Sequence, residues 1–401
     1  MLRSSMTLLL LTVWVVLSGC QSGSGFGGVA APAEPSATVL MADQTYKLND
    51  ADLEQRGLEK VWNAQLRVKT NEKMIDAYLL GDHIILESAS KRLYGINRKS
   101  GVPTLGVDLP YRCDFRGCDD DTHVYVPCRN ILVAIDKRGF VAYRKFLKFA
   151  PGGIPVSDPE HVFIPCFDGR MRSFLKQSGY FDRQYTTEGE LEAKPGLGTR
   201  YVYAGSNDGV LYALSTDRLE RAWMYKTFGP IRAGIVHDGR QVFVASTDGS
   251  LYALNDMPQD TREAQLDWHR PYASGDSIDK TPFVAKDLVC VINRRRECHA
   301  VDRKTGNRRW LVPNVDEVLT QGKINTYLLR GNSRILAADN KTGVIRWSLD
   351  TRPGIYSFFL VNAVDDTLYM VKQNGEVQAI RERRPPKPTP PPIPVPTPPT
   401  S

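Results

Sequence analysis

Apolar and aromatic runs of five or six residues, broken by short polar turns rich in Asp, Asn and Gly, recur along residues 46–383. The clearest pair is Val202–Leu214 against Val242–Leu254. Each has an apolar strand, a turn containing Asp-Gly, and a second strand ending Leu-Tyr-Ala-Leu. Two such runs joined by an Asp-Gly turn predict a β-hairpin: glycine supplies positive φ, and Asp folds its carboxylate back onto its own backbone. The small residue of Leu-Tyr-Ala-Leu has equivalents at Gly95, Ala134, Ser173, Ala213, Ala253, Ala300, Ala337 and Ala379, at intervals of 39, 39, 40, 40, 47, 37 and 42 residues. A period of that length marks a repeat fold.

A second motif follows these positions. Asp302-Arg303-Lys304-Thr305-Gly306 precedes Trp310, and Asp339-Asn340-Lys341-Thr342-Gly343 precedes Trp347, with weaker copies at Asn97…Gly101, Asp136…Gly139 and Ser178-Gly179. The Asp or Asn closes a local turn, the Gly reverses the chain, and the Trp lands in the next strand, where a large flat ring fills the space between sheets. Trp223 and Trp268 occupy comparable places. Each unit therefore supplies about four short antiparallel strands, and eight units predict an all-β, eight-bladed β-propeller of four-stranded blades over 46–384. The last repeat stops at Ile380-Arg381 without its Trp strand, whereas Trp62 stands ahead of the first repeat. The strand around Trp62 is expected to complete the eighth blade and so remove an open sheet edge.

The ends of the chain read differently. Arg3, an apolar run from Met6 to Leu17 and the small residues Ser18-Gly19 make a secretory signal peptide over 1–19, too short to span a bilayer. Leu17-Ser18-Gly19-Cys20 looks like a bacterial lipobox, with Cys20 the expected lipidation site. Several acyl chains anchor firmly where one is marginal. Gln21, in place of an Asp that would favour inner-membrane retention, points to the periplasmic face of the outer membrane. Residues 20–45, rich in Gly, Ser, Ala and Pro, read as the lipidated Cys and a flexible tether. Residues 385–401, with ten prolines and no acidic residue, read as an extended Pro-rich tail. Of the formal charge of +7, Arg3 contributes one and Arg381–Lys387 a net three; over 20–380 it is +3, nearly balanced, which gives no case for nucleic-acid binding.

The repeat, read as apolar-Tyr-x-Gly-Ser-x-Asp-Gly-x-Leu-Tyr-Ala-Leu and Asp-x-x-Thr-Gly with a following Trp, resembles the PQQ-like propeller repeat. With the lipobox and a length near 400, the chain resembles the BamB family of outer-membrane assembly lipoproteins. That resemblance implies a membrane-anchored periplasmic scaffold assisting the assembly of outer-membrane β-barrels, with protein partners in the cell envelope and no cofactor. A second expectation is an adaptor or structural lipoprotein of another envelope complex. A third is a quinoprotein dehydrogenase, because those enzymes share the repeat. They carry an adjacent Cys-Cys pair and calcium-ligating carboxylates, and here no two cysteines are adjacent.

Candidate chemistry is sparse. His83, His123 and His161 fall at equivalent points of three consecutive repeats, which keeps them apart as ligands of one ion. Asp119-Asp120-Asp121 reads as a solvated turn. Apart from Cys20 there are six cysteines, an even number for an oxidising compartment. Cys290 and Cys298 lie on two arms of one hairpin and Cys113 and Cys118 share one loop, so both pairs are possible disulfides; Cys128 and Cys166 occupy matching positions of adjacent blades. Arg294-Arg295-Arg296, at a hairpin tip, is the candidate partner-docking loop for an acidic surface.

Overall fold

Val, Ile, Leu and Tyr occupy both faces of the second and third strands of every repeat, so each of those strands must be covered on two sides. The computed structural model, which describes residues 50–256, 264–352 and 356–383, meets that demand with eight four-stranded antiparallel sheets arranged as the blades of a propeller. Blades 1 to 7 run in chain order from Met74–Leu80 to Ile345–Asp350. Blade 8 is built from Tyr356–Leu360, Thr367–Lys372 and Glu376–Glu382, and its outer strand is Leu58–Gln65 from the other end of the chain. The expected closure is therefore present, with Trp62 opposite Ala379. The expectations for residues 1–45 and 385–401 lie outside the described residues.

The core is a ring of eight apolar clusters, one at each blade-to-blade interface. Second strands such as His161–Pro165 and Leu288–Ile292 are buried along their length, whereas outer strands such as Arg221–Lys226 alternate. The small residues that set the period sit in the third strands. Ala213, Ala300 and Ala337 face Trp223, Trp310 and Trp347 on the outer strands, and a bulge follows each alanine.

Trp62, Trp223, Trp268, Trp310 and Trp347 each pack at the interface with the following blade. The indoles of Trp62, Trp268 and Trp310 donate to the carbonyls of Arg98, Arg303 and Asn340 at 3.1, 2.9 and 3.1 Å. Those carbonyls belong to the turns closed by Asn97, Asp302 and Asp339, whose side chains accept from backbone N–H groups two and three residues on. A Cβ on Gly306 or Gly343 would come within 2.7 or 2.6 Å of the Trp beneath it. At these positions glycine provides both positive φ and the clearance for the neighbouring blade's indole. The Asp-Gly turns carry a further link: Tyr212 and Tyr252 donate their hydroxyls to Asp208 and Asp248, at 2.7 and 2.6 Å.

The seam between blades 7 and 8 has one more fastening. Glu382, at the end of its strand and largely buried, accepts from the backbone N–H groups of Lys323, Ile324 and Asn325, from Asn325 Nδ2 and from the Tyr327 hydroxyl, at 2.8 to 3.3 Å. Among the described residues no helix is long and apolar enough to cross a membrane; the one helix, Asp50–Gln55, packs Leu53 into the cluster between blades 7 and 8.

Candidate protein-docking site

In an up-and-down propeller the turns joining second and third strands emerge on the same face as the connections leading from each outer strand to the next blade. On that face, over blades 1 to 3, lies a cleft of about 870 Å³ walled largely by aromatic rings. Tyr111 and Phe115 come from the connection 109–117, Phe146 and Phe149 from the end of one outer strand and the connection after it, and Phe167 from the turn in blade 3. Phe146, Phe167 and Tyr111 are 67, 45 and 39 % exposed, a concentration of apolar surface that no element among the described residues covers. Phe115 and Phe167 approach to 6.3 Å between ring centres, so the cleft crosses the face of blade 2.

Backbone bonds hold the walls. Leu147 N–H donates to the Asn130 carbonyl at 2.6 Å and Gly152 N–H to Pro165 at 2.7 Å. Beneath, the buried Arg172 guanidinium stacks over Phe149 at 4.3 Å and donates to Asp168. Burial raises the Asp168 carboxyl, but the bonds from Arg172 and Arg170 outweigh it and leave the group below the usual carboxylate range. The cleft floor is thus a fixed cation under an aromatic ring.

Arg129, at the rim, lies 5.0 Å over the Tyr111 ring and has a φ of 53°. At this φ an arginine adds about 1–2 kcal/mol of backbone strain. One repeat position later, blades 3, 4, 5 and 8 place Gly169, Gly209, Gly249 and Gly375 in the left-handed region, and blades 1 and 6 place Lys91 (φ 65°) and Arg296 (φ 63°) there.

The arginine run shares this face, but its charges are answered. Arg294 pairs with Asp279 at 3.0 Å, Arg295 with Asp276 at 3.4 Å and Arg296 with Asp316 at 2.7 Å, all three arginines being exposed. Exposed pairs of this kind contribute only about 0–1 kcal/mol each, so a partner carboxylate can replace an internal one.

The histidines stay separate. His83, His123 and His161 open the second strands of blades 1, 2 and 3, and His161 lies between Asp158 and Asp182 at 3.5 and 3.4 Å. Among the described residues no group of His, Cys, Asp or Glu is gathered as for a metal ion. Asp119 pairs with Lys137 at 2.6 Å, while Asp120 pairs with Lys176 and accepts from the N–H groups of Thr122 and His123.

The six cysteines outside the signal region are unbridged in the structure. The expected partnership of Cys113 with Cys118 is corrected by strand alternation. Cys118 faces the cluster between blades 2 and 3, whereas Cys113 packs between blades 1 and 2, its Sγ 3.7 Å from Cys128 Sγ. Cys290 and Cys298 do meet, Cys290 standing opposite Ala300 and Cys298 opposite Ile292, as two buried thiols in the core. Cys128 and Cys166 fall in different clusters.

Comparison with known proteins agrees with this architecture. A solved structure, BamB from Moraxella catarrhalis, superposes with a TM-score of 0.64 at 18 % identity, covering 81 % of this chain and 97 % of that one. A computationally designed protein, Ika8, does so with a TM-score of 0.63 at 12 % identity, covering 80 % and 99 %. No curated protein matches the sequence. The family model described as "Outer membrane protein assembly factor BamB" matches residues 176–313 and 260–384, together just over half of the chain. With its repeats, its closed ring and that match, the chain belongs to the BamB family of PQQ-like-repeat propellers.

Proposed function

We propose that this protein is a lipid-anchored periplasmic scaffold that assists the assembly of outer-membrane β-barrel proteins, and that it binds its partner through the aromatic cleft over blades 1 to 3. The cleft carries the reading: exposed rings from three separate segments converge on one face of the propeller, and an arginine at positive φ stands on the rim. Such a surface suits an extended protein segment that offers apolar side chains to the rings and a carboxylate to Arg129. Family membership supports the assembly role, and the sequence at Leu17–Cys20 supports the anchor. The propeller itself is proposed to have no catalytic role and no cofactor.

The cleft is tested with two variants of opposite kind. Phe146→Ala combined with Phe167→Ala removes exposed rings and should lower partner retention in a mild-detergent pull-down at least tenfold, with the melting temperature nearly unchanged. Arg129→Gly should stabilise the fold by about 0.5–1 kcal/mol, since the left-handed position then suits its residue, while also lowering retention. Full retention by both variants would remove the cleft from the reading.

The Arg294–Arg296 turn is proposed as a second contact on the same face. Because Asp276, Asp279 and Asp316 lie beside it, Glu replacements would repel the turn itself, and Gln replacements report more cleanly on docking.

The anchor has its own measurement. Cys20→Ser should shift the protein from the membrane pellet to the soluble periplasmic fraction, or leave it unprocessed. Processed protein that stays wholly membrane-bound would contradict lipidation at Cys20.

A further inference from the structure

Cys113 lies on the connection 109–117, between Tyr111 and Phe115 of the cleft wall, and is partly exposed. Cys128 ends a strand of blade 2, immediately before Arg129, and is fully buried. Their sulfurs are 3.7 Å apart. A disulfide needs about 2.05 Å; the remaining approach can come from side-chain rotation and from a connection that belongs to no strand. We infer that Cys113 and Cys128 form a disulfide that staples the cleft wall to blade 2.

The staple would join the two segments that already meet through Arg129 over Tyr111, and so fix the aromatic wall before a partner arrives. The free thiols are poorly suited to react within the folded protein. The hydrogen bond shared with Cys128, with burial adding to it, pushes the Cys113 thiol well above its ordinary range. The bond is therefore made while the chain is folding. A disulfide of the thiol-oxidoreductase or glutathione class is the acceptor. One cysteine thiolate attacks it and releases one acceptor thiolate; the second cysteine then displaces the acceptor from the mixed disulfide. The Sγ–Sγ bond forms, the acceptor S–S bond breaks, and two electrons and two protons end on the acceptor as two thiols. That this happens in the cell rests on the periplasmic location proposed above.

The test uses the full chain refolded from denaturant in a glutathione/glutathione-disulfide buffer, followed by blocking of free thiols, proteolysis and mass spectrometry. The expected result is a peptide pair linking Cys113 to Cys128. Reduction should then lower the melting temperature by roughly 4–8 °C, the scale for releasing a loop of this length. It should also speed tryptic cleavage after the exposed Arg112 severalfold. Cys128→Ser, and separately Cys113→Ser at the more accessible end, should abolish both effects of reduction. Recovery of Cys113 and Cys128 as blocked thiols, or of Cys113 linked to Cys118, would overturn the assignment. Protein recovered from cells separates the two readings: a link that forms in the buffer but is missing from the cellular protein counts against the location, not against the pair.

Discussion

Deletion of residues 46–70 is expected to abolish cooperative unfolding and leave an aggregating chain. The deletion removes the outer strand of blade 8, including Leu58 and Trp62, and with it Leu53 of the packed helix. At about 1.5–3 kcal/mol for each large apolar side chain, these three account for roughly 5–9 kcal/mol, against a total stability of about 5–15 kcal/mol for a typical domain. It also exposes the edge of Glu376–Glu382, seven of whose residues find partners on the missing strand. Calorimetry and light scattering check this, with deletion of 385–401 as the control expected to melt like the parent. If the two deletions melt alike, the closing strand is not what holds blade 8.

The second large effect is expected at Glu382. Its carboxylate answers five donors on blade 7, and Glu382→Ala leaves the innermost of them, Asn325 and the Tyr327 hydroxyl, without an acceptor. Unanswered buried donors cost about 1–3 kcal/mol each; water reaches the exposed Lys323 and Ile324 turn, so the expected loss is about 2–4 kcal/mol. Glu382→Gln should fall between Ala and the parent. Gly322→Ala should also destabilise, because its Cβ would stand 2.5 Å from the Glu382 carboxylate. Urea midpoints measure all three, and a Glu382→Ala midpoint equal to that of the parent would show that the seam is held by its apolar cluster alone.

The architecture was legible because its determinants repeat. Ala213, Ala300 and Ala337 each face a Trp, and the Asp-Gly and Asp-x-x-x-Gly turns repeat one backbone task each time they occur, so weak local signals reinforce one another. Trp62 was readable as the missing partner of the last repeat for the same reason. The candidate site had no such redundancy. Tyr111, Phe115, Phe146, Phe149 and Phe167 lie in three segments that do not repeat, and only the radial arrangement of blades brings them together. The excess of aromatics just after outer strands was the available signal. Sequence alone pairs Cys113 with its near neighbour because loop residues carry no alternation to read. Once Cys118 is placed at the start of an inner strand, its direction follows from the pleat, and Cys113 is left to Cys128. The arginine run was legible as a turn but not as a neutralised one, since Asp276, Asp279 and Asp316 come from the two flanking connections.

The closing of blade 8 also sets how the molecule carries force. The strands Leu58–Gln65 and Glu376–Glu382 are antiparallel, with Leu58 opposite Glu382 and the Arg383 N–H bonded to the Gly57 carbonyl at 2.8 Å. The chain therefore enters and leaves the propeller at one end of a single strand pair. A pull between the segment ahead of Asp50 and the tail beyond Arg383 loads these hydrogen bonds one after another, as in opening a zipper. A pull between Asp50 and a protein seated over blades 1 to 3 loads the pair along its length, so that the bonds resist together. Tension on the N-terminal segment is borne well when the opposing grip is on the ring, and poorly when it is on the tail.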